Sequence, residues 1–447
     1  MGRLDIGVFI HKLQYMVRSK KKNIILIIDA PTALALKPIK DAKEDKSQKY
    51  RFMLLYSKKD YLGKENKEAL KHFDIVEAVN YNSPDSIISA LSPYRDEILT
   101  AYCRSEVQIP NFQKVIPHIP YLKTPTTESL EWSINKYKMR KRFYAYDKSI
   151  TPKFMLVKDQ TKTTVKEIEK KIQFPLVIKP ASLAQSLLVN VVYHREELEK
   201  NLRQVFRKLK ATYKDSSRAG IVPEVIVEQF IEGTMYSIDG YINSRGKAYC
   251  CPMVVIKTGR EIGFDDFFGY QQMTPTNLTK ETLSNAEKVA ITGVKALGLR
   301  STAFHAELIK NDKGFKIVEI GPRIGGFRDE LYRNSYGINH ILNASTIGIP
   351  RIPQIPKRLK GHSAALKVFS KKEGIIESIS GMKNLKELKS LKKLIINKKV
   401  GDRARFAKNG GKSVFNVIMF NKDRSSLLAD IRRMEQSIVI KVASKKK

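Results

Sequence analysis

Two glutamates in the second half of the chain have the residue type and spacing of a metal site. Glu307 lies in the apolar run TAFHAELI and Glu319 in GFKIVEIG, and the turn KNDKG between the runs has the composition of a hairpin. Alternation places His305 and Glu307 on one face of the first strand. Facing positions on antiparallel strands lie about 4.5–5.5 Å apart, so two carboxylates there repel unless a cation joins them. The pair predicts a Mg²⁺ site, and uncompensated acidic residues are the alternative.

Lys179 ends another apolar run, in the segment FPLVIKPAS. A lysine at a strand end, beside a loop of small residues, can contact nucleotide phosphates as a point charge while backbone N–H groups bind the oxygens. The alternative is a lysine that only faces solvent. The residue type and its position therefore indicate a phosphate contact without requiring one.

The segment IVEQFIEGTMYSIDGYI, residues 226–242, joins two apolar runs through EQFIEG. A linker between two lobes exposes peptide N–H and carbonyl groups, which can bind an adenine edge without any side-chain code. An ordinary acidic turn is the alternative. The pattern predicts a hinge between two lobes.

The first of three compositional regimes is expected to be a parallel α/β domain. In residues 1–125, polar, helix-length segments alternate with the apolar runs NIILIIDA, RFMLLYSK, FDIVEAVNY and EILTAYC. The second regime, residues 126–355, begins with the helical pattern TTESLEWSINKYKMRKRFYAY and contains the residues discussed above. The prolines of PRIPQIPKRLKGH mark its end.

The third regime, residues 356–447, predicts a small α/β lobe. Its expected strands are SAALKVFS, GIIESISG, SVFNVIMF and SIVIKV, and its expected helix is RSSLLADIRRMEQ. The pattern shows no internal repeats.

Bulk composition indicates a globular, cytoplasmic protein. The 447 residues are 42% hydrophobic, and the three cysteines have no metal-ligand spacing, so we expect reduced thiols. The apolar run in KKKNIILIIDAPTALAL is too short and interrupted to cross a membrane. A net charge of +37 is dispersed along the chain and attracts polyanions only generically, which makes nucleic acid a less favoured partner.

In this order, the quoted segments resemble the ATP-grasp superfamily of carboxylate–amine ligases, and its L-amino-acid-ligase-like branch in particular. The resemblance spans roughly residues 20–445. It implies an α/β ATP-grasp fold with a pre-ATP-grasp Rossmann-like domain at residues 1–125 and a two-lobed nucleotide-binding domain at 126–355. A small C-terminal α/β lobe would occupy residues 356–447.

The resemblance also implies roles for individual residues. Nucleotide contacts are expected from six positions, the last two through the backbone: Lys136, Lys179, Ser182, Ser186, Glu228 and Ile231. Glu307 and Glu319 would hold Mg²⁺, with Mn²⁺ as a substitute. The catalytic residue would be Arg323, which anchors a substrate carboxylate or steadies an acyl phosphate whose oxygens meet the N–H groups of Gly325 and Gly326. Phe327 either limits the substrate pocket or packs against the core.

The implied activity is ATP- and Mg²⁺-dependent ligation of an amino-acid-like carboxylate to an amine. Catalysis of this kind depends on positioning and charge neutralisation around an acyl phosphate, and ADP and phosphate are released. The partners are small molecules, and a homodimer is compatible with the resemblance. The alternatives are a ligase or carboxylase acting on bicarbonate or a purine-pathway intermediate, and a nucleotide-binding pseudoenzyme that binds polyanions.

Three features depart from the family pattern. Gly321 stands where the family often has an asparagine metal ligand, and Met235 stands where a glutamate often binds the ribose. The flap ASLAQSLLVN, residues 181–190, contains no glycine and so has fewer residues suited to positive φ. These positions predict an altered grip on metal and nucleotide.

Overall fold

The computed structural model describes residues 22–32, 35–44, 49–60, 63–183, 187–215 and 222–443. A parallel sheet, a small antiparallel sheet and a large antiparallel sheet follow one another along these residues, with a three-stranded sheet near the end. The α/β class expected from the sequence is confirmed.

The N-terminal sheet is parallel, with the order β3-β2-β1-β4. Its strands are β1 (Ile24–Ile28), β2 (Arg51–Ser57), β3 (Ile75–Val79) and β4 (Ile98–Tyr102). Its helices are Lys37–Glu44, Lys64–Leu70, Pro84–Leu91 and Ile109–Val115. Every residue of β1 is buried, which explains why it reads as a continuous apolar run rather than an alternating one. All four predicted strands are present.

The helical segment that follows is broken in two at Asn135. The helices are Thr127–Ile134 and Lys136–Tyr146. Asn135 has an extended backbone (φ −115°, ψ 110°), and its side chain accepts the Lys138 N–H at 3.0 Å. An asparagine commonly caps a helix in this way. The break places Lys136 at the N-terminal end of the second helix.

The small antiparallel sheet has the order β5-β8-β6-β7. Its strands are β5 (Phe154–Val157), β6 (Leu176–Pro180), β7 (Asn190–Val192) and β8 (Val225–Gln229). The helices Lys162–Lys171 and Arg195–Asp215 bury apolar side chains against it. Residues 230–233 then lead from β8 into the large sheet, where the hinge was predicted.

The remaining strands, in chain order, are β9 (Thr234–Ile242), β10 (Ala248–Cys250), β11 (Val254–Thr258), β12 (Gly269–Thr274), β13 (Thr302–Asn311), β14 (Gly314–Gly321), β15 (His362–Val368), β16 (Gly374–Ser380), β17 (Leu391–Ile396), β18 (Arg403–Ala404), β19 (Phe415–Asn421) and β20 (Val439–Val442). The helices of this part are Lys280–Ala296, Arg328–Tyr336, His340–Thr346, Met382–Glu387 and Arg424–Ser437. The predicted hairpin of β13 and β14 is present.

The large sheet runs across the domain boundary predicted at residue 355. Its order is β14-β13-β9-β11-β12-β15-β19-β17, with β10 paired to β9. The first C-terminal strand, β15, pairs directly with β12. The C-terminal strands therefore extend the sheet that carries both glutamates. No helix among the described residues is long and apolar enough to cross a membrane.

Candidate active site

Glu307 and Glu319 face each other on neighbouring strands. The two residues are direct partners in the antiparallel register of β13 and β14, and Glu307 is also opposite Ser237 on β9. Lys136 Nζ lies 3.2 Å from Glu319 Oε2. The structure thus places a cation against one of the paired carboxylates, as their mutual repulsion requires.

The chemistry of the pair suits Mg²⁺, which prefers hard oxygen ligands and is commonly bound by one or two carboxylates together with substrate phosphates. Within the described ranges, no group of three or more histidine, cysteine, aspartate or glutamate side chains is arranged to hold a metal. A metal bound by Glu307 and Glu319 would therefore complete its shell with phosphate oxygens and water.

Lys136 lies between the carboxylate pair and the flap. Besides its contact with Glu319, its ammonium donates to the Leu183 carbonyl at 2.7 Å. Its own N–H donates to the Ala181 carbonyl at 2.7 Å. The helix N-terminus adds partial positive charge at this point, which favours phosphate. The phosphate contact expected of Lys136 stays a prediction.

Lys179 belongs to a buried ion-pair cluster. Its ammonium lies 2.7 Å from Glu228 Oε2, and Arg140 donates to both oxygens of Glu228 at 2.8 and 3.1 Å. Arg140 also donates to the carbonyls of Ile317 and Val318 on β14. Burial acts to raise the pKa of Glu228, but Arg140 and Lys179 outweigh it and lower the pKa to about 2. The cluster joins the small sheet to the strand that carries Glu319.

The adenine contact expected from the Glu228 backbone needs correction. Glu228 pairs with Phe154 of β5 on one side and with Val177 of β6 on the other, so its main chain belongs to the sheet ladder. Ile231 lies between β8 and β9, and its adenine contact stays a prediction. Met235 shares a face of β9 with Ser237 by alternation, so a thioether occupies the position expected for the ribose-binding carboxylate.

One described residue of the glycine-free flap has a left-handed backbone. Leu188 has φ 56°, a conformation that costs most side chains about 1–2 kcal/mol. Ser182, at the start of the flap, is buried, and its N–H donates to the Tyr213 hydroxyl at 3.1 Å. Ser186 lies outside the described residues, so its predicted role stays a prediction, as does that of Ser182.

Arg323 forms an ion pair with Glu106, which lies in the N-terminal part of the chain. Its Nη2 lies 2.5 Å from Glu106 Oε2, beyond the end of β4, and its Nη1 donates to the Ile324 carbonyl at 3.1 Å. Burial acts to lower the pKa of Arg323, but Glu106 raises it more. A substrate carboxylate at Arg323 would therefore share the guanidinium with Glu106, a partner that the sequence did not indicate.

Asp239 is a fully buried acid that sequence reasoning missed. Its carboxylate is 2.7 Å from His305 Nδ1, 3.3 Å from His340 Nε2 and 3.3 Å from Arg328 Nε. Burial acts to raise the pKa of Asp239, but these partners, His305 first, hold it well below its ordinary value. His305 Nε2 in turn lies 3.4 Å from Glu307 Oε1, so the network supports one of the paired carboxylates.

Gly325 also needs correction, because its N–H donates to Asp239 Oδ2 at 2.6 Å and is therefore engaged within the protein. A Cβ at Gly325 would come within 2.5 Å of His305 Nδ1, whereas a Cβ at Gly326 would meet no atom within 4 Å. Of the two glycines, only Gly326 faces open space. The predicted contact with substrate oxygens therefore stays a prediction for Gly326 alone.

Phe327 has a left-handed backbone (φ 61°, ψ 0°) directly before the helix Arg328–Tyr336. Its ring packs partly against a core cluster, and Lys367 Nζ lies 5.8 Å from the ring centroid. Residues held in sparsely populated backbone regions are concentrated at functional sites. Phe327 thus packs partly against the core, and its role in limiting a substrate pocket stays a prediction.

Buried polar atoms collect where the parallel sheet meets this site. The buried atoms Asp29 Oδ2, Tyr102 Oη and Arg104 Nε form no hydrogen bond within the described residues. Arg104 Nε is 3.6 Å from Asp29 Oδ2, too far for one. Burial raises the pKa of Asp29, although Arg104 acts against it. Ligands of parallel α/β sheets bind beyond the carboxyl ends of the strands, which is where these groups lie.

Comparisons with known proteins agree with this geometry. The sequence profile of a family described as an ATP-grasp domain matches residues 172–329. Among solved structures, an L-amino acid ligase from Bacillus licheniformis superposes with a TM-score of 0.71 at 17% identity, covering 95% of this chain and 100% of that chain. Phosphoribosylglycinamide synthetase from Anaerococcus prevotii follows at 0.65 and 16%, covering 94% and 100%. The predicted ATP-grasp fold is confirmed.

A curated relative by sequence is a D-alanine–D-alanine ligase of Lacticaseibacillus casei. It is 28% identical over 153 residues, which cover 33% of this chain and 37% of the relative. This similarity therefore spans little more than a third of that relative's length. A protein of Sinorhizobium fredii named uncharacterized protein y4rH is 26% identical over 267 residues, which cover 58% of this chain and 51% of the relative.

Proposed function

We propose that this ATP-grasp protein joins a carboxylate to an amine in a reaction that consumes ATP and releases ADP and phosphate. Its structural neighbours and sequence relatives include ligases and a synthetase, which supports this reaction class. The acid is proposed to be amino-acid-like, in line with the L-amino acid ligase neighbour. A bicarbonate or purine-pathway substrate is the rival within the same fold.

The observation that carries the proposal is the register of Glu307 against Glu319, with Lys136 paired to Glu319. Lys136 and Arg323 lie close to this pair, and Lys179 lies close to Lys136, so the set is suited to a nucleoside triphosphate and a substrate carboxylate. Bound Mg²⁺ would neutralise charge on the transferring phosphate. Such a site serves mainly to position groups and to stabilise negative charge.

The side chains divide the work as follows. Lys136 and Lys179 bind nucleotide phosphates, and the hinge at Ile231 contacts adenine. Arg323 orients the substrate carboxylate so that one oxygen attacks the terminal phosphorus, and ADP leaves. The amine then attacks the carbonyl carbon of the acyl phosphate, phosphate departs with the bonding electrons, and the amine proton is lost. Exclusion of water from the closed cleft protects the acyl phosphate.

The test is ADP formation with panels of carboxylates and amines, in the presence of Mg²⁺. Glu319→Gln should lower substrate-stimulated ADP formation at least 100-fold, because the variant removes one charge from the carboxylate pair. Glu281→Gln, at an exposed position in the first turn of the helix Lys280–Ala296, is the matched control and should retain full activity. Absence of substrate-stimulated ADP formation, or an unaffected Glu319→Gln variant, would refute the proposal. A homodimer and a cytoplasmic location stay predictions.

A further inference from the structure

We propose that Lys367 binds a second anionic group, a carboxylate or a phosphate, which the substrates carry in addition to the reacting carboxylate. The enzyme would then select dianionic substrates over those whose remaining groups are neutral. This inference rests on the proposed ligase function and names a substrate class for the same site. Sequence reasoning did not single out Lys367, which lies in the apolar run SAALKVFS.

The sheet carries Lys367 into the site from the C-terminal segment. Lys367 lies on β15, and Ala365, two residues earlier on the same face, is the register partner of Gln272 on β12. The Gln272 amide oxygen accepts a hydrogen bond from Arg328. Lys367 therefore lies near Arg328, and its ammonium is 5.8 Å from the centroid of the Phe327 ring.

Lys367 differs from the other cations near the paired glutamates in having no acidic partner among the described residues. The other cations are paired as follows: Arg140 and Lys179 with Glu228, Lys136 with Glu319, Arg323 with Glu106, and Arg328 with Asp239. Within the part of the chain that the structure describes, Lys367 forms neither an ion pair nor a hydrogen bond. Among these six cations, Lys367 is thus the one without a direct acidic partner in the described residues.

The surroundings of Lys367 also favour an anion. Burial is the main effect that lowers its pKa, and the guanidiniums of Arg328 and Arg323 lower it further, while Glu307 acts in the opposite direction. A partly buried ammonium near two guanidiniums is electrostatically costly until an anion arrives. The contact with the Phe327 ring, at 5.8 Å, is a weak substitute for such a partner.

A nucleotide phosphate is the other source of anionic charge, and the sheet order argues against it. Lys136 contacts Glu319 on β14, whereas Lys367 lies on β15, and four strands separate β14 from β15. The adenine hinge and both nucleotide lysines lie towards the β14 side or on the small sheet. Lys367 and Lys136 are therefore on opposite sides of the paired glutamates along the sheet.

The first experiment compares substrates in the ADP-formation assay. Monocarboxylates, dicarboxylates and phosphate-bearing acids would be paired with neutral and with acidic amines. We expect wild-type kcat/KM to be at least tenfold higher for pairs with a second anionic group. Lys367→Met should remove most of this preference through KM, and Lys367→Arg should retain it. Lys371→Met, an exposed lysine three residues past β15, is the matched control and should behave like the wild type. Equal use of neutral and dianionic pairs by the wild type would overturn the inference.

A binding assay separates this inference from the ligase proposal. Thermal shifts would be measured with Mg²⁺·ADP present and with succinate or inorganic phosphate as the probe. Stabilisation of the wild type that Lys367→Met loses would support the anion site even if no substrate pair gives turnover. No shift with either probe, or a shift that Lys367→Met retains, would overturn the inference. If Lys367→Met weakens binding of Mg²⁺·ATP analogues as strongly as binding of the probes, the anion is the nucleotide's and the proposal fails.

Discussion

Lys179 on β6 holds the carboxylate of Glu228 on β8 at 2.7 Å in the interior of the protein. Arg140, from the helix after Asn135, donates hydrogen bonds to both oxygens of the same carboxylate and to two carbonyls of β14. A single buried acid therefore ties the small sheet to the strand of Glu319. The pair is thus a structural link, and the nucleotide contact expected of Lys179 stays a prediction.

Replacement of Glu228 by Gln should destabilise the protein by about 3 kcal/mol, because it leaves two buried cations without a countercharge. Urea denaturation would measure the free energy of unfolding. Glu377→Gln, at an exposed position of β16, should change it by less than about 0.5 kcal/mol. A loss in Glu228→Gln no larger than in this control would contradict the buried ion-pair cluster.

Protonation of Glu228 should lower the free energy of unfolding at acid pH. The pKa of its carboxyl is about 2 in the folded protein, below the ordinary value of 4.5, so the unfolded chain takes up the proton first as the pH falls. The stability it contributes is complete above about pH 4.5 and is lost as the pH falls towards 2. Unfolding free energies measured across this range should fall more steeply for the wild type than for Glu228→Gln. Equal slopes would exclude Glu228 as a source of the pH dependence.

Gly325 and Gly326 should respond differently to the same methyl group. In Gly325→Ala, the Cβ would lie 2.5 Å from His305 Nδ1, so the network around Asp239 must shift, at a cost of about 1–3 kcal/mol. Gly326→Ala meets open space and is its matched control, with an expected change within about 0.5 kcal/mol. Thermal and urea unfolding of both variants would check this. Similar losses in the two would mean that His305 does not limit the space at Gly325.

An asparagine introduced at position 321 should strengthen the binding of Mg²⁺. A Cβ at Gly321 would lie 3.6–3.7 Å from the Arg323 side chain, which is ordinary contact, so Gly321→Asn fits and adds an oxygen ligand near the paired carboxylates. We expect the Mg²⁺ concentration for half-maximal ADP formation to fall several-fold. Gly321→Ala adds the Cβ without the oxygen and should leave it unchanged. If the two variants behave alike, the added oxygen does not reach the metal.

Phe327 should tolerate glycine better than alanine. Both substitutions remove the packing of the ring, but only glycine adopts φ 61° without strain, a difference of about 1 kcal/mol in the free energy of unfolding. Urea denaturation would measure this difference. Both variants should also accept bulkier acids, measured as kcat/KM for ADP formation. An unchanged substrate range would assign Phe327 to packing alone.

Most of the fold could be predicted from the sequence, because strands and hairpins depend on local patterns of apolar and turn residues. Continuous apolar runs identified the four parallel strands, and the composition of the turn at residues 310–314 identified the β13–β14 hairpin. The break at Asn135 was missed because apolar and basic residues continue the helical pattern on both sides. The signal was the asparagine itself, a residue that favours helix caps over helix interiors.

The partners of the site residues were not predictable in the same way, since they lie far away in sequence. Arg140 meets Glu228 across 88 residues, and Arg323 meets Glu106 across 217. Asp239 did leave a signal, because it alternates with Ser237 on a strand of otherwise apolar character. Lys367 left a similar one, as a charged residue within SAALKVFS. Such residues became interpretable only when the sheet order placed their strands side by side.

The continuity of the large sheet across residue 355 has a consequence for motion during turnover. Glu307, Glu319, Asp239 and Lys367 are all carried by this one sheet, whereas Lys179 and Glu228 belong to the small sheet, joined to it by the hinge at residues 230–233. A movement of the small sheet about this hinge would leave the spacing between the paired glutamates and Lys367 unchanged, but it would have to strain or break the link that Arg140 forms between Glu228 and β14. The relative positions of Glu307, Glu319 and Lys367 would then be the same before and after such a movement, because one sheet holds all three residues.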